Sequence, residues 1–279
     1  MTAPTFDLGA LHGGLRLPAC KGESTSAPIL EVPIPAQLVL PVEQRSGETA
    51  RPVVRVGERV LKGQVIAEPD GELGIPVHAS SSGNVVAIEN RPVSRRHGDP
   101  APCMVIDCDG LDEAMPGLRR GDYRDLPPTD LLLQILDGGI AGLGGAVFPT
   151  AQKLMQARTT RIELLLLNGV ECEPYISCDD MLMRAHAEAV ISGAQILLHA
   201  LQVPACFIAV ESDKPEAIAR LGEVLAEVGD ERIVLKQVPT IYPSGGEDQL
   251  VQLVAGREVP AGGLPTDVGC VVQNVGTAA

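Results

Sequence analysis

Between residues 30 and 108 the chain alternates short apolar runs with turn signals. The runs are Ile29-Leu30-Glu31-Val32-Pro33, Val53-Val54-Arg55-Val56, Val65-Ile66-Ala67, Val85-Val86-Ala87-Ile88 and Met104-Val105-Ile106. Turns are expected at Val56-Gly57-Glu58, Lys62-Gly63-Gln64, Pro69-Asp70-Gly71 and Ser82-Gly83-Asn84. This predicts a small all-β domain over 30–108. From Asp130 the period lengthens. Leu131 to Leu136 reads as a helix, followed by a glycine-rich loop and a second helix from Ala151 to Ala157. Ile162 to Leu167 is a continuous apolar run, the kind buried in a parallel sheet. A long helical pattern then runs from about Asp180 to about Leu201, followed by a strand (206–210), a helix (214–228), a strand (233–238) and a helix (246–254). Alternating strands and helices imply a parallel sheet covered on both faces. The fold class expected is therefore α/β, Rossmann-like over 129–279, with a linker at 109–128 and an N-terminal arm at 1–29. The consensus dinucleotide fingerprint after a first strand is absent, so the likeness to that fold is one of architecture.

Two stretches carry candidate chemistry. In Gly138-Gly139-Ile140-Ala141-Gly142-Leu143-Gly144-Gly145-Ala146-Val147-Phe148-Pro149-Thr150 the glycines free the backbone to take positive φ and to approach a ligand closely. Pro149 has φ preset for a first helical turn, and amides at a helix start suit a phosphate. A plain glycine-rich turn between two helices satisfies the same composition, and both readings stay open. The second stretch, Asn168-Gly169-Val170-Glu171-Cys172-Glu173-Pro174-Tyr175, ends the apolar strand, where open α/β sheets hold their ligands. Asn168 can donate and accept at a ring edge, while Glu171 and Glu173 can accept from hydroxyls or a carboxamide. The bland alternative is a solvated acidic loop that caps a helix through Asp179 or Asp180.

Together these motifs resemble the RnfC component of the Rnf electron-transport complex, an ion-translocating NADH:ferredoxin oxidoreductase. More distantly they are similar to the NADH- and FMN-binding flavoprotein subunit of respiratory complex I. His12-Gly13-Gly14, Tyr242-Pro243-Ser244-Gly245-Gly246-Glu247 and Gln273-Asn274-Val275-Gly276-Thr277 agree, so the resemblance covers nearly the whole chain. It implies a Rossmann-like FMN/NADH-binding domain preceded by a β barrel-sandwich. Residues 56–64 and 77–85 also resemble the biotinyl/lipoyl type of barrel-sandwich. The hairpin lysine that carries the prosthetic group there has no counterpart here, since the segment between the halves holds Asp70 and Glu72 but no Lys. A covalent swinging arm is not expected, and the domain reads as a platform or docking surface.

By resemblance, Gly142, Gly144, Gly145 and Ala146 match the flavin loop and Lys153 the lysine near the flavin phosphate. Asn168, Glu171 and Glu173 match the cluster at the isoalloxazine and nicotinamide. Phe148 matches a ring stacked on adenine, and Tyr242, Gly245 and Glu247 a further stretch lining the nucleotide site. Asn274 and Thr277 match residues reaching the flavin phosphate side. There are departures. Val147 stands where the loop usually has a third glycine, Leu143 replaces the arginine of the complex I pattern, and Val170 replaces its aspartate. Gln156 stands where complex I has a second stacking Phe, which leaves adenine binding less supported than flavin binding. The implied reaction is hydride transfer from NADH to non-covalent FMN, with onward transfer to iron–sulfur centres and ferredoxin. The flavin carries the chemistry, so no catalytic side chain is assigned. The family continues past the position of Ala279 into domains carrying two [4Fe–4S] clusters, which are expected only there, and the chain reads as a truncated form. The implied setting is peripheral, on the cytoplasmic side of the inner membrane among other subunits.

Composition narrows the field. A net charge of −14 argues against nucleic-acid binding but not against a dinucleotide held locally by backbone amides. No apolar run has the length of a membrane-spanning helix, and the N-terminus has no basic apolar block of a secretory signal. Aromatics are few (Phe6, Phe148, Phe207, Tyr123, Tyr175 and Tyr242, with no Trp), and three lie in the motifs. The seven cysteines (Cys20, Cys103, Cys108, Cys172, Cys178, Cys206 and Cys270) form neither a cluster-binding series nor a zinc pattern. Free thiols and no metal are expected. His12, His78, His97, His186 and His199 are scattered, with the last two expected to be structural. Two rivals remain: a non-catalytic docking scaffold, which Val147 favours, and an NADH-linked flavoprotein of another electron-transfer system.

Overall fold

The computed structural model describes residues 13–45, 48–71, 73–94, 99–117 and 121–279; Phe6, His12, Glu72 and His97 lie outside them. The chain divides into two compact units. One is Glu31–Lys153, and the other is Leu154–Ala279 together with the N-terminal residues through Leu30.

The first unit contains β1 (Gln37–Pro41), β2 (Glu43–Arg45), β3 (Glu48–Pro52), β4 (Arg59–Val60), β5 (Val65–Pro69), β6 (Val77–His78), β7 (Gly83–Pro92) and β8 (Pro100–Cys108). They form two four-stranded antiparallel sheets, in the orders β1-β8-β7-β4 and β2-β3-β5-β6. Inward-facing residues of both sheets meet in one core: Met104, Ile106, Val85 and Val60 with Val42, Ala50, Ile66, Ala67 and Val77. This is the barrel-sandwich that the turn spacing implies. Gly83 opens β7 instead of forming a turn, because a Cβ there would run into the Asp107 carbonyl of β8. Gly83→Ala is expected to cost about 1–3 kcal/mol as an overpacked strand contact, measurable by urea denaturation.

Two predicted runs are not strands. Residues 29–33 are exposed and unpaired, since Pro28, Pro33 and Pro35 leave too few donors for a ladder. Residues 53–56 follow the end of β3 at Pro52, with Val53 N bonded to Ile66 O and Val54 buried. The start of the expected linker is tied down. Arg59 pairs with Asp109 (2.9 Å) and Glu113 (2.7 Å), and Lys62 pairs with Asp112 (2.6 Å). The same unit carries α1 (Pro128–Asp137) and the glycine loop, and α2 (Thr150–Ala157) runs across the division.

The second unit is a parallel sheet of β9 (Leu164–Gly169), β10 (Cys206–Glu211), β11 (Ile233–Val238) and β12 (Cys270–Asn274), in the order β11-β10-β9-β12. Its helices are α3 (Cys178–Ala185), α4 (Ala187–Leu201), α5 (Pro215–Val228), α6 (Glu247–Ala255) and α7 (Val275–Ala278). Alternation along each strand divides the burial. Leu164, Leu166, Ala209, Cys270 and Val272 pack on Leu250, Val251 and Leu253 of α6. Leu165, Leu167, Ile208 and Val210 take the opposite face, which α3, α4, α5 and α7 cover. The single long helix expected over 180–201 is two helices, broken at His186, whose φ of −137° leaves the helical region. In α4, Gly193 lets α7 lie close, because a Cβ would meet the Ala278 carbonyl. Among the described residues no helix is long and apolar enough to cross a membrane.

Candidate functional site

Parallel strands deliver their polar residues to one edge of the sheet, beyond their carboxyl ends. Asn168 ends β9, Glu211 ends β10 and Asn274 ends β12, while the loop after β11 carries Tyr242 to Gly246. These residues bind one another. Asn168 Nδ2 donates to Gly245 O (2.9 Å), and Asn168 Oδ1 accepts from Val170 N (3.1 Å). Gly245 is pressed against the β9 loop, where a Cβ would lie 3.3 Å from Cys172 Sγ. Asn274 caps α7 through Oδ1 to Gly276 N (2.8 Å), while its Nδ2 donates to Asp179 Oδ2 (2.6 Å).

Glu171 is the best-connected residue of the group. Its φ is +50°, its carboxylate accepts from Asp179 N (2.7 Å) and Asp180 N (3.3 Å), and it is buried. A carboxylate at a helix start satisfies free amides and meets the positive end of the dipole. Glu171 thus caps α3, a role the sequence suggested for Asp179 or Asp180. Asp180 instead pairs with Arg184 (2.6 Å). Burial and the charges of Glu171 and Glu173 push the Asp179 carboxyl up to about 6, against the Asn274 hydrogen bond and Lys21. Glu173 and Tyr175 are exposed, as is Glu247 in the first turn of α6, and Thr277 is half-buried in α7.

Beside Glu171 lies a buried ionic cluster. Lys214 Nζ contacts Asp213 Oδ1 (2.8 Å), Glu211 Oε2 (3.1 Å) and Glu171 O (3.4 Å), and Ser244 Oγ donates to Glu211 Oε1 (3.0 Å). Burial alone would lower the Lys214 ammonium, but Asp213 and Glu211 outweigh it and hold it above its ordinary value. Burial raises the Glu211 carboxyl. Lys21 reaches the cluster from the N-terminal segment, donating to Glu171 O (2.5 Å). Glu171, Cys178 and Asp179 bring their ligand atoms within 4.8 Å of one another, yet the α3 amides and Lys21 already occupy Glu171.

The remaining predicted residues lie in the first unit. The glycine loop is closed at its base by Thr150 N to Ile140 O (2.9 Å) and Gly142 N to Phe148 O (2.8 Å). Its tip, Leu143 to Ala146, is exposed, and Phe148 and Lys153 are half-buried. Gly139 sits at φ +63° where a Cβ would meet Pro76 O at 2.5 Å, so the loop's start depends on glycine. Pro149 precedes α2, its carbonyl accepting the helical bond from Lys153 N (3.1 Å). Among the described residues the amides of Gly144, Gly145 and Ala146 donate to no protein acceptor. Val147 has φ +49°, a left-handed conformation costly for a β-branched side chain.

The RnfC barrel sandwich hybrid domain model matches residues 9–111, and the Nuo51 FMN-binding domain model matches residues 135–279. The chain belongs to the RnfC family, with a Nuo51 FMN-binding domain. Its relatives include the RnfC-type component of the ion-translocating oxidoreductase complex of Pseudomonas aeruginosa, 49% identical over 98% of this chain and 35% of that protein. The component of the same name from Vibrio cholerae is 42% identical over 95% of this chain and 34% of that protein. The chain therefore spans about a third of the length of these curated relatives. A crystal structure of NAD+-reducing [NiFe]-hydrogenase in the air-oxidised state matches with a TM-score of 0.46 and 23% identity, covering 57% of this chain and 33% of that one.

Within this RnfC-family chain, sequence reasoning missed Lys21, Glu211, Lys214 and Ser244. Glu211 had a signal, as the first charge after the apolar run Cys206 to Val210 at a strand's carboxyl end. Lys21 had none, because its partner is 150 residues away.

Proposed function

We propose that the chain binds FMN and NADH and is the NADH-oxidising flavoprotein part of a membrane-associated electron-transport complex. The observation that carries this reading is the exposed glycine-loop tip, whose three unpartnered amides form a backbone cradle suited to a phosphate. Gly142, Gly144, Gly145, Ala146 and Lys153 would hold the flavin phosphate, and Asn274 and Thr277 would support that side. Asn168 and Glu173 would orient the flavin and nicotinamide rings. Phe148 would stack on adenine, with Tyr242, Gly245 and Glu247 lining the nucleotide. Glu171, already committed to α3, would act by shaping the loop that carries Glu173. Bound FMN supplies hydride acceptance and single-electron release. The [4Fe–4S] clusters, ferredoxin, neighbouring subunits and a place on the cytoplasmic face of the inner membrane belong to the same proposal for the longer protein.

The test is the visible spectrum of the purified chain with FMN, followed by anaerobic NADH titration. Flavin binding and bleaching by NADH are expected. Binding without bleaching would remove NADH oxidation from the reading, and a folded chain that leaves FMN free in solution would overturn it. Val147 supports one second reading, a docking scaffold with a weakened ligand loop, and the last outcome would favour that.

A further inference from the structure

The N-terminal segment crosses the sheet's carboxyl edge as a strap. Leu15 forms an antiparallel bridge with Tyr242, with both N–H···O bonds at 2.8 Å. Gly14 lies so close that a Cβ would meet Ile241 Cγ2 at 2.5 Å and Tyr242 O at 2.9 Å, which explains the glycine of the His12-Gly13-Gly14 motif. Farther along, Tyr175 N donates to Ala19 O (2.9 Å), and Leu17 to Lys21 lie alongside Glu211 and Asp213. The strap thus runs from the loop after β11, past the end of β10, to the loop after β9, where Lys21 enters. Its ammonium meets both the carbonyl of Glu171 (2.5 Å) and its carboxylate (3.6 Å), with only 10% of the side chain exposed. Glu171 is held at positive φ between this lysine and Lys214. Its peptide fixes the direction in which the chain leaves β9 toward exposed Glu173.

We propose that Lys21 is a positioning residue for the nucleotide site. By clamping the Glu171 peptide it sets the loop geometry that presents Glu173 to the nicotinamide nucleotide. The functional half of this proposal rests on the FMN/NADH reading; the clamp does not.

Two measurements on the full chain separate them. The first is hydrogen exchange of the ligand-free protein at the Asp179 and Asp180 amides, which Glu171 caps. Lys21→Met keeps the apolar stem but has no donor, and is expected to lower protection there about tenfold or more while β10 and β11 keep theirs. Lys21→Arg retains a charged donor and is expected to keep most of it. Unchanged protection in Lys21→Met, or equal loss in both variants, would overturn the clamp, whether or not flavin binds. The second is the NADH concentration that half-bleaches bound FMN, expected to rise roughly 10- to 100-fold in Lys21→Met and only a few-fold in Lys21→Arg. Lost protection with an unchanged NADH requirement would overturn the positioning role. If Lys21→Met does not fold, Lys21→Arg against Glu171→Gln decides. The glutamine retains the carbonyl contact but weakens the cap, and it must lose more Asp179 protection than the arginine variant, or the clamp is wrong. Wild type that binds no FMN would overturn the functional half, while exchange still decides the clamp.

Discussion

Lys214→Met is expected to destabilise the α/β unit by about 3–5 kcal/mol, the usual result of removing one partner from a buried ion pair. Lys214 and Glu211 are fully buried, and the variant would leave Glu211 with only the Ser244 hydroxyl at 3.0 Å. The cost is mainly the stranded carboxylate, not the lost attraction. Two consequences follow. Burial already raises the Glu211 carboxyl, so without Lys214 it takes up a proton more readily, and the loss should ease as pH falls. The double variant Glu211→Gln with Lys214→Met should recover at least half of the loss, since the amide oxygen still accepts from Ser244 and no charge is buried. Urea denaturation midpoints across pH check all three. A single-variant cost below about 1 kcal/mol, or a double variant no better than the single one, would show that the cluster is not held by charge.

Local pattern made the architecture legible. The apolar runs that became β9, β10 and β11 were visible because strands buried on both faces cannot carry polar residues. β1 was missed because its alternation, Gln37-Leu38-Val39-Leu40, is blurred, and β12 because it adjoins a motif read for its ligands. The break at His186 has no Pro or Gly to announce it, and nothing in the structure explains why that residue in particular departs from the helix. In the candidate site the types of residue were legible but not their division of labour. Asn168 and Glu171 look alike on paper as ligand-binding groups, yet the fold engages both internally, and only Glu173 is exposed. Such assignments depend on contacts between distant segments. Lys21 on Glu171 and Asn274 on Asp179 are examples, and periodicity carries no record of them. Val147 shows the converse. Its family position implies glycine, and the backbone there does adopt the left-handed conformation that glycine takes at least cost.

Asp179→Asn is expected to stabilise the chain at pH 8. The Asp179 carboxyl is raised from 3.8 to about 6, first by burial and then by Glu171 and Glu173. The folded state therefore holds this proton more tightly than the unfolded chain does. The stability gained from that preference is complete below about pH 4 and disappears as pH rises through about 6. Above that, keeping Asp179 ionised in its acidic surroundings is a penalty relative to a neutral side chain, worth up to about 3 kcal/mol for a shift of about two units. Asparagine has nearly the same shape, and its Oδ1 can still accept from Asn274 Nδ2, now 2.6 Å from Asp179 Oδ2. Its backbone N–H still donates to Glu171. The variant should melt several degrees above wild type at pH 8, with the gap closing toward pH 4. A gap that ignores pH would mean that packing, not charge, separates the two proteins. A variant less stable than wild type at pH 8 would mean that the Asp179 carboxylate is stabilised by its contact with Asn274 more than it is opposed by Glu171 and Glu173. The link from α3 to the end of β12 would then depend on that ionised group.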